Sequence, residues 1–413
     1  MSIMVRGETR LKGEVEISSS KNAILPILAA SLLTEGKVIL KKVPLIEDVK
    51  VINCLLKELG VNIKENGNII TIDGNIINIH PPYELVKKIR ASFLLMAPIL
   101  ATRGEVRVSL PGGCAIGNRP IDLHLKGFKA LGAELTLAGG DIIAKAKKLR
   151  GNHIYLDFPS VGATENIMMA ASLASGTTYI ENAALEPEIV DLANFINAMG
   201  GKINGAGTNI IRIEGVKKLK GTEYTSIPDR IEAGTFMLAA AATRGDVIIN
   251  NVIPEHVKAV TAKLMESGAQ VEEGENKIRV QGKEKINPVY IKTLPYPGFP
   301  TDMQAQFMAY LSLAQGSSIV TESVFENRFM HVPELVRMGA SIRIEGRTAV
   351  IKGVQELNGT EVTATDLRAG AALLIAGMMA RGITKVSNSY HIDRGYENIV
   401  DKFARLGADI KRE

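Results

Sequence analysis

The stretch Leu55-Leu56-Lys57-Glu58-Leu59-Gly60-Val61-Asn62-Ile63 decides the fold, because its pattern recurs. An amphipathic helix pattern runs into a glycine, and a short alternating segment follows. The same succession surrounds Gly132, Gly200, Gly268, Gly339 and Gly407. Subtracting neighbouring numbers gives spacings of 72, 68, 68, 71 and 68 residues. A glycine closes a helix C-terminus, and alternating residues after it read as a strand. A fixed period of this kind indicates one supersecondary unit used six times.

A second glycine series has the same period: Gly36, Gly104, Gly176, Gly245, Gly316 and Gly382. Each follows a stretch that is small and apolar on all sides, such as Ala23 to Leu33 or Ala369 to Ala380. A helix apolar all round is buried all round. Each unit therefore reads helix, strand, helix, strand, strand. Leu-x-Gly marks a tail strand at Gly13, Gly151, Gly221 and Gly359. The first tail precedes any helix, and the last unit stops after one strand at Ile410. Closure follows: the N-terminal strand supplies the tail that the last unit lacks. Three units make a domain over residues 21–228, and three make another from residues 1–20 with 229–413. Two connections cross near Ser20 and Pro228. An open solenoid is the alternative, but solenoid repeats are usually shorter, about 20–45 residues.

Composition narrows the class. The 413 residues are 46% hydrophobic, which is ample for real cores. A net charge of +5, from 49 basic and 44 acidic residues, attracts anions but is too dilute for a nucleic-acid partner. There is no Trp, and the aromatics form no stacking platform for bases. The opening residues lack a signal-peptide core, and the longest apolar runs are about half the ~20 residues of a membrane span. A cytoplasmic protein without a membrane anchor is expected. The six histidines show no metal-ligand spacing, and neither a Walker loop nor a dinucleotide fingerprint occurs. ATP and dinucleotide binding therefore lack support.

The residues preceding the buried helices carry charge: Lys21 and Asn22, Arg90, Thr164 and Glu165, Asp229 and Arg230, Thr301 and Asp302, Asp366 and Arg368. Asp, Asn and Thr suit N-caps, whereas a cation at a helix N-terminus is mildly destabilising. Either an anionic ligand removes that conflict or the cations are solvated. With all units oriented alike, the helix starts of each domain gather on one side and line an anion-binding interdomain cleft. The loop Leu110-Pro111-Gly112-Gly113-Cys114-Ala115-Ile116-Gly117-Asn118-Arg119-Pro120 interrupts the second unit as a lid. A thiol beside an Arg is either reactive or an inert loop residue. Cys54 reads as a core residue on a helix face. His124 either touches a ligand or simply packs.

These blocks resemble the UDP-N-acetylglucosamine 1-carboxyvinyltransferases, a family of enolpyruvyl transferases, from about Arg6 to Ile410. The matching runs include Ser20-Lys21-Asn22-Ala23, Ser109 to Cys114, Gly117 to His124, Ser160 to Thr164, Pro228 to Glu232, Phe299 to Gln304, Val324 to Met330 and Tyr390 to Tyr396. The resemblance implies two inside-out α/β barrel-like domains of three units each, the fold shared with 5-enolpyruvylshikimate-3-phosphate synthase. It implies transfer of enolpyruvyl from phosphoenolpyruvate to the sugar nucleotide by addition and elimination, with no metal and no organic cofactor, by a monomer or weak homo-oligomer. It assigns catalysis to Cys114, Asp302, Lys21 and Arg394. Cys114 is the acid, forms a covalent phosphoenolpyruvate adduct and is the target of the epoxide fosfomycin; Asp302 is the candidate base. Phosphoenolpyruvate falls to Lys21, Asn22, Arg119 and Arg394. The sugar nucleotide falls to Asn22, Arg90, Arg119, Pro120, Ile121, Asp122, Leu123, Ser160, Val161, Gly162, Asp302 and Val324. His124, Asp229, Glu232, Arg328, Asp366 and Arg368 support the site. Phe158 departs from relatives that carry Lys there. The shikimate enzyme, which lacks the loop cysteine, and a sugar-nucleotide-binding paralogue without catalysis are the competing readings.

Overall fold

The computed structural model describes residues 1–110 and 121–413. They form two compact units: Met1–Ser18 with Pro228–Glu413, and the described residues between 19 and 227. Each unit has its own hydrophobic core.

The apolar stretches form central helices. Lys21–Ala30, Met96–Arg103 and Val161–Ala171 lie in the unit of residues 19–227. Arg230–Ala242, Gln304–Leu311 and Leu367–Met379 lie in the other. Every residue from Ile231 to Ala242 and from Gln304 to Leu311 is buried. Small side chains permit this close packing of helix against helix. The second stretch does not run as one α-helix. A 3-10 turn, Arg90–Leu95, precedes Met96–Arg103. Pro98 in the first helical turn has no N–H to extend the α-helix backwards.

The amphipathic helices are Glu47–Glu58, Asp122–Ala130, Pro187–Ala198, Lys258–Glu266, Val332–Arg337 and Ile399–Arg405. All six end alike. Gly60, Gly132, Gly200, Gly268, Gly339 and Gly407 have φ of 90, 93, 95, 98, 100 and 97°. Gly60 N donates to Lys57 O and Val61 N to Leu56 O, and the other five ends repeat this pair of bonds. The two bonds satisfy carbonyls that the helix leaves open, and the left-handed glycine costs no Cβ clash. On Glu47–Glu58 the buried face holds Val49, Ile52, Asn53 and Leu56, so Cys54 turns outward and is exposed, contrary to the core position expected. At about 100° per residue it falls on the side of the exposed Lys50 and Lys57.

Among the described residues, five four-stranded sheets and one three-stranded sheet cover the helices. In the first, Val38–Lys41 pairs antiparallel with Ile69–Asp73, which pairs with Asn62–Asn66. The tail Glu223–Thr225 returns from the third repeat to add a parallel strand beside Val38–Lys41. Gly221 before it lies so close to Lys37 that a Cβ would stand 2.2 Å from the Lys37 carbonyl oxygen. His153–Tyr155, Lys12–Glu16, Tyr290–Lys292 and Glu361–Thr363 add to their sheets in the same parallel way. The sheet of Glu105–Ser109, Asp141–Lys145 and Glu134–Ala138 has no such strand among the described residues; Arg107 N there donates to Ile79 O of an irregular segment.

Closure is more extensive than one tail. Ser2–Arg6 inserts between Ile383–Ser387 and Ile410–Arg412, antiparallel to both, and Lys12–Glu16 then joins Asp246–Asn250. The N-terminal segment thus completes the sixth repeat with two strands. Among the described residues no helix is long and apolar enough to cross a membrane.

Candidate active site

In the unit containing Pro228–Glu413, three helix starts converge. Asp229 caps Arg230–Ala242, accepting from Ile231 N at 2.8 Å and Glu232 N at 2.9 Å. Asp366 caps Leu367–Met379 through Arg368 N at 2.8 Å and Ala369 N at 3.1 Å. Thr301–Met303 makes a 3-10 turn ahead of Gln304–Leu311 and carries Asp302. The Asp302 carboxylate accepts from Arg328 Nη2 at 2.7 Å on one oxygen. Its other oxygen accepts from Arg368 Nε at 3.2 Å and Nη2 at 2.9 Å. The side chains of Arg328 and Arg368 are each 4% exposed, against 26% for Asp302.

Burial works against the Arg368 charge, but Asp302, Tyr396 and Asp229 outweigh it, so the guanidinium is held charged more firmly than usual. Its plane lies over the Tyr396 ring at 5.3 Å, and the Tyr396 hydroxyl meets Thr235 Oγ1 at 3.0 Å. His331 is buried near Asp366 and Arg328; burial foremost, with Arg328, lowers its pKa to about 4 against the pull of Asp366. Arg394 follows the turn Tyr390–Asp393. Burial and then Arg394 lower the pKa of His391, and Asp366 opposes them. Arg394 is therefore at the same pole as Asp366. Three guanidinium groups, of Arg328, Arg368 and Arg394, thus stand at this pole among the carboxylates of Asp229, Asp302 and Asp366.

In the other unit, Ser20 caps the first central helix and Lys21 follows it. Lys21 Nζ lies 2.8 Å from Asp48 Oδ2, and both side chains are nearly buried. Thus a carboxylate already stands against two of the helix-start cations, Lys21 and Arg368. Ser160 caps Val161–Ala171. Two residues on, a Cβ at Gly162 would stand 3.0 Å from His124 Cε1. His124 is packed: it is buried, edge-on to Phe93 at 5.1 Å, with Nδ1 2.8 Å from Asn166 Nδ2. Burial, helped by Arg90, lowers its pKa to about 3, so the ring is neutral. Ile121 and Leu123 are partly buried, Asp122 is exposed, and Phe158 is 47% exposed. Burial first, then Glu188 and Glu186, raises the pKa of Glu165 well above the carboxylate range.

Similarity to known proteins agrees with this arrangement. The family model described as EPSP synthase (3-phosphoshikimate 1-carboxyvinyltransferase) matches residues 5–403. The chain belongs to the EPSP synthase family. Within it, the chain is 60% identical, over 98% of its length and 97% of the relative, to UDP-N-acetylglucosamine 1-carboxyvinyltransferase 1 of Caldanaerobacter subterraneus subsp. tengcongensis. It is 59% identical, over 99% and 98%, to UDP-N-acetylglucosamine 1-carboxyvinyltransferase 2 of Carboxydothermus hydrogenoformans. The crystal structure of the enolpyruvyl transferase NikO from Streptomyces tendae superposes with a TM-score of 0.89 at 24% identity, covering 99% of this chain and 98% of that one. That likeness shows the fold, and the two-domain architecture of repeated α/β units is the family's.

Against this family frame, Asp229, Asp302, Arg328, Asp366, Arg368 and Arg394 gather at one pole of their unit. Glu232 is engaged differently, by Lys402 Nζ at 2.5 Å and Ser18 N at 3.0 Å. Cys114, Arg119 and Pro120 lie outside the described residues. Sequence reasoning missed Asp48, Asn166, His331 and Glu322.

Proposed function

We propose that the chain transfers the enolpyruvyl group of phosphoenolpyruvate to the 3′-hydroxyl of UDP-N-acetylglucosamine and releases phosphate, the first committed step of peptidoglycan synthesis. The observation that carries this reading is near-full-length identity of 56–60% with relatives bearing that enzyme's name. The reaction belongs in the cytoplasm, where both substrates are made, and a monomer or weak homo-oligomer suffices for it.

In the addition step the sugar oxygen bonds to C2 of phosphoenolpyruvate while a proton adds to C3. In the elimination step the C2–O bond to phosphate breaks and C3 gives up a proton. An acid and a base are therefore needed. We assign the acid to Cys114, which also forms the phosphoenolpyruvate adduct, and hydroxyl activation to Asp302. Arg328 and Arg368 hold the Asp302 carboxylate in place. Lys21, Asn22, Arg119 and Arg394 take the phosphate and carboxylate of phosphoenolpyruvate, for which several cations are required. Arg90, Arg119 to Leu123, Ser160 to Gly162 and Val324 take the sugar nucleotide, with Asn22 and Asp302 at its reacting end. His124 and Asp229 support these groups.

A phosphate-release assay with both substrates tests the reading. Wild type is expected to turn over and Cys114→Ser to lose most activity. Turnover with shikimate 3-phosphate, and none with the sugar nucleotide, would overturn it. Fosfomycin is expected to leave one adduct, at Cys114, by peptide mass spectrometry.

A further inference from the structure

We infer that Glu322 is a positioning residue for the proposed transfer: its buried carboxylate joins the turn that carries Asp302 to the loop that carries Val324. Glu322 directly follows the strand Ser317–Thr321 and is 1% exposed. One oxygen accepts from Thr293 Oγ1 at 2.8 Å, Val324 N at 2.8 Å and Phe325 N at 3.1 Å. The other accepts from Thr301 Oγ1 at 2.9 Å. Thr301 is the first residue of the turn, directly before Asp302. Thr293, in turn, accepts from Ser323 N at 2.9 Å through its hydroxyl, and its carbonyl oxygen accepts from the Ser323 hydroxyl.

The chemistry of this arrangement favours a carboxylate. Two of the four donors are main-chain N–H groups, which cannot reverse their role, and a carboxylate is an acceptor only. An unanswered buried N–H is costly, so the loop at Val324 and Phe325 keeps its shape only while Glu322 is present. The same bonds determine what the loop can offer a ligand. With its N–H committed to Glu322, Val324 meets the sugar nucleotide through its carbonyl and side chain alone. Asp302 is held from two sides, by Arg328 and Arg368 at its carboxylate and by Glu322 through the Thr301 hydroxyl. A displacement near 1 Å at the reacting group costs on the order of 100-fold in rate. Glu322 touches no reacting atom in this scheme and acts through its neighbours.

The inference rests on the proposed transfer, and three variants of the full chain test it. Glu322→Ala is expected to raise KM for UDP-N-acetylglucosamine about tenfold and lower kcat about tenfold, with KM for phosphoenolpyruvate within about twofold. Glu322→Gln restores most of the loss, because the amide oxygen faces the three donors and the Thr301 hydroxyl turns to accept from the amide nitrogen. Thr301→Val cuts only the Asp302 link, so kcat falls while KM for the sugar nucleotide holds. Hydrogen exchange in substrate-free protein is expected to show faster exchange at Val324 and Phe325 in Glu322→Ala but not in Glu322→Gln. Unchanged kinetics in Glu322→Ala, or equal rises in both KM values, overturn the positioning role. A wild-type chain that releases no phosphate overturns the transfer reading instead; the exchange measurement, which needs no substrate, still decides whether Glu322 holds the loop.

Discussion

Asp302 shows what single residues do in this fold. Its carboxylate bonds two nearly buried guanidinium groups, so its loss removes the ion pair of both. Removing one partner of a buried pair typically costs about 3–5 kcal/mol. Asp302→Asn is therefore expected to lower stability by about 3 kcal/mol in urea unfolding and to cut phosphate release by roughly 100-fold or more. His124 gives a pH prediction. Its pKa is about 3 in the folded chain against 6.5 for the free side chain. Between these values the unfolded chain holds more protons, so the contribution of His124 is whole above pH 6.5 and is lost as pH falls toward 3. His331, at about 4, acts in the same sense. Glu232, raised to about 7 by burial, acts in the opposite sense: its contribution is present below pH 4.5 and lost as pH rises through 7. His124→Gln keeps an acceptor for Asn166 and is expected to flatten the acid-side slope by about 1 kcal/mol per pH unit, read from urea midpoints between pH 6 and 4. Lys21 and Arg368 were legible in the sequence because a cation at a buried helix start is unusual, whereas Asp302, an ordinary N-cap type there, was assigned a role only through the family resemblance. Asp48 and Glu322 were not, because a partner brought near by tertiary folding leaves no local pattern.

At the scale of elements, the helix ends were the most legible feature. All six glycines of the first series are left-handed and make the same two bonds, because one conformational demand admits one residue type. The second series shared the period without sharing the reason. Gly104, Gly176, Gly316 and Gly382 have positive φ, whereas a Cβ on Gly245 would stand 2.3 Å from the Leu11 carbonyl oxygen. Gly132 and Gly245 therefore fail differently. Gly132→Ala meets open space and only a strained φ of 93°, for an expected loss of about 1–2 kcal/mol. Gly245→Ala pushes the incoming N-terminal segment off its sheet and is expected to cost about 3 kcal/mol or more. Equilibrium denaturation of the two variants separates the cases; equal losses would mean that close approach is not what keeps glycine at 245. The irregular tail near Ile79 was not legible, since the Leu-x-Gly marker is absent there.

At the scale of the molecule, the repeat requires each domain to close on itself; the missing last tail pointed to the N-terminal segment, but not to the insertion of Ser2–Arg6 as a second strand. In the unit of residues 19–227 the tail Glu223–Thr225 returns to the first sheet within one continuous stretch. In the other unit the chain itself supplies closure by permutation. Ser2–Arg6 is an interior strand of its sheet, and Ser2 N donates to Glu413 O at 3.1 Å while Glu413 N donates to Ser2 O at 3.0 Å. The first and last strands are thus neighbours in one antiparallel ladder, and a short linker between residues 413 and 1 asks nothing of the backbone that the ladder does not already impose. New ends are best opened between Gly139 and Gly140, an exposed hairpin tip where even an added Cβ meets nothing within 4 Å. Such a permutant is expected to keep its stability within about 1–2 kcal/mol and its rate of phosphate release, since exposed hairpin tips tolerate new termini. Deletion of residues 1–7 is the contrasting case. It leaves the inner edges of Ile383–Ser387 and Ile410–Arg412 without partners and uncovers the core that Ile3 and Val5 complete, both fully buried. Loss of cooperative unfolding in the deletion alongside its retention in the permutant would mark Ser2–Arg6 as the strand that closes the ring. The opposite result would mean that the order of the repeats along the chain, and not their closure in space, sets stability.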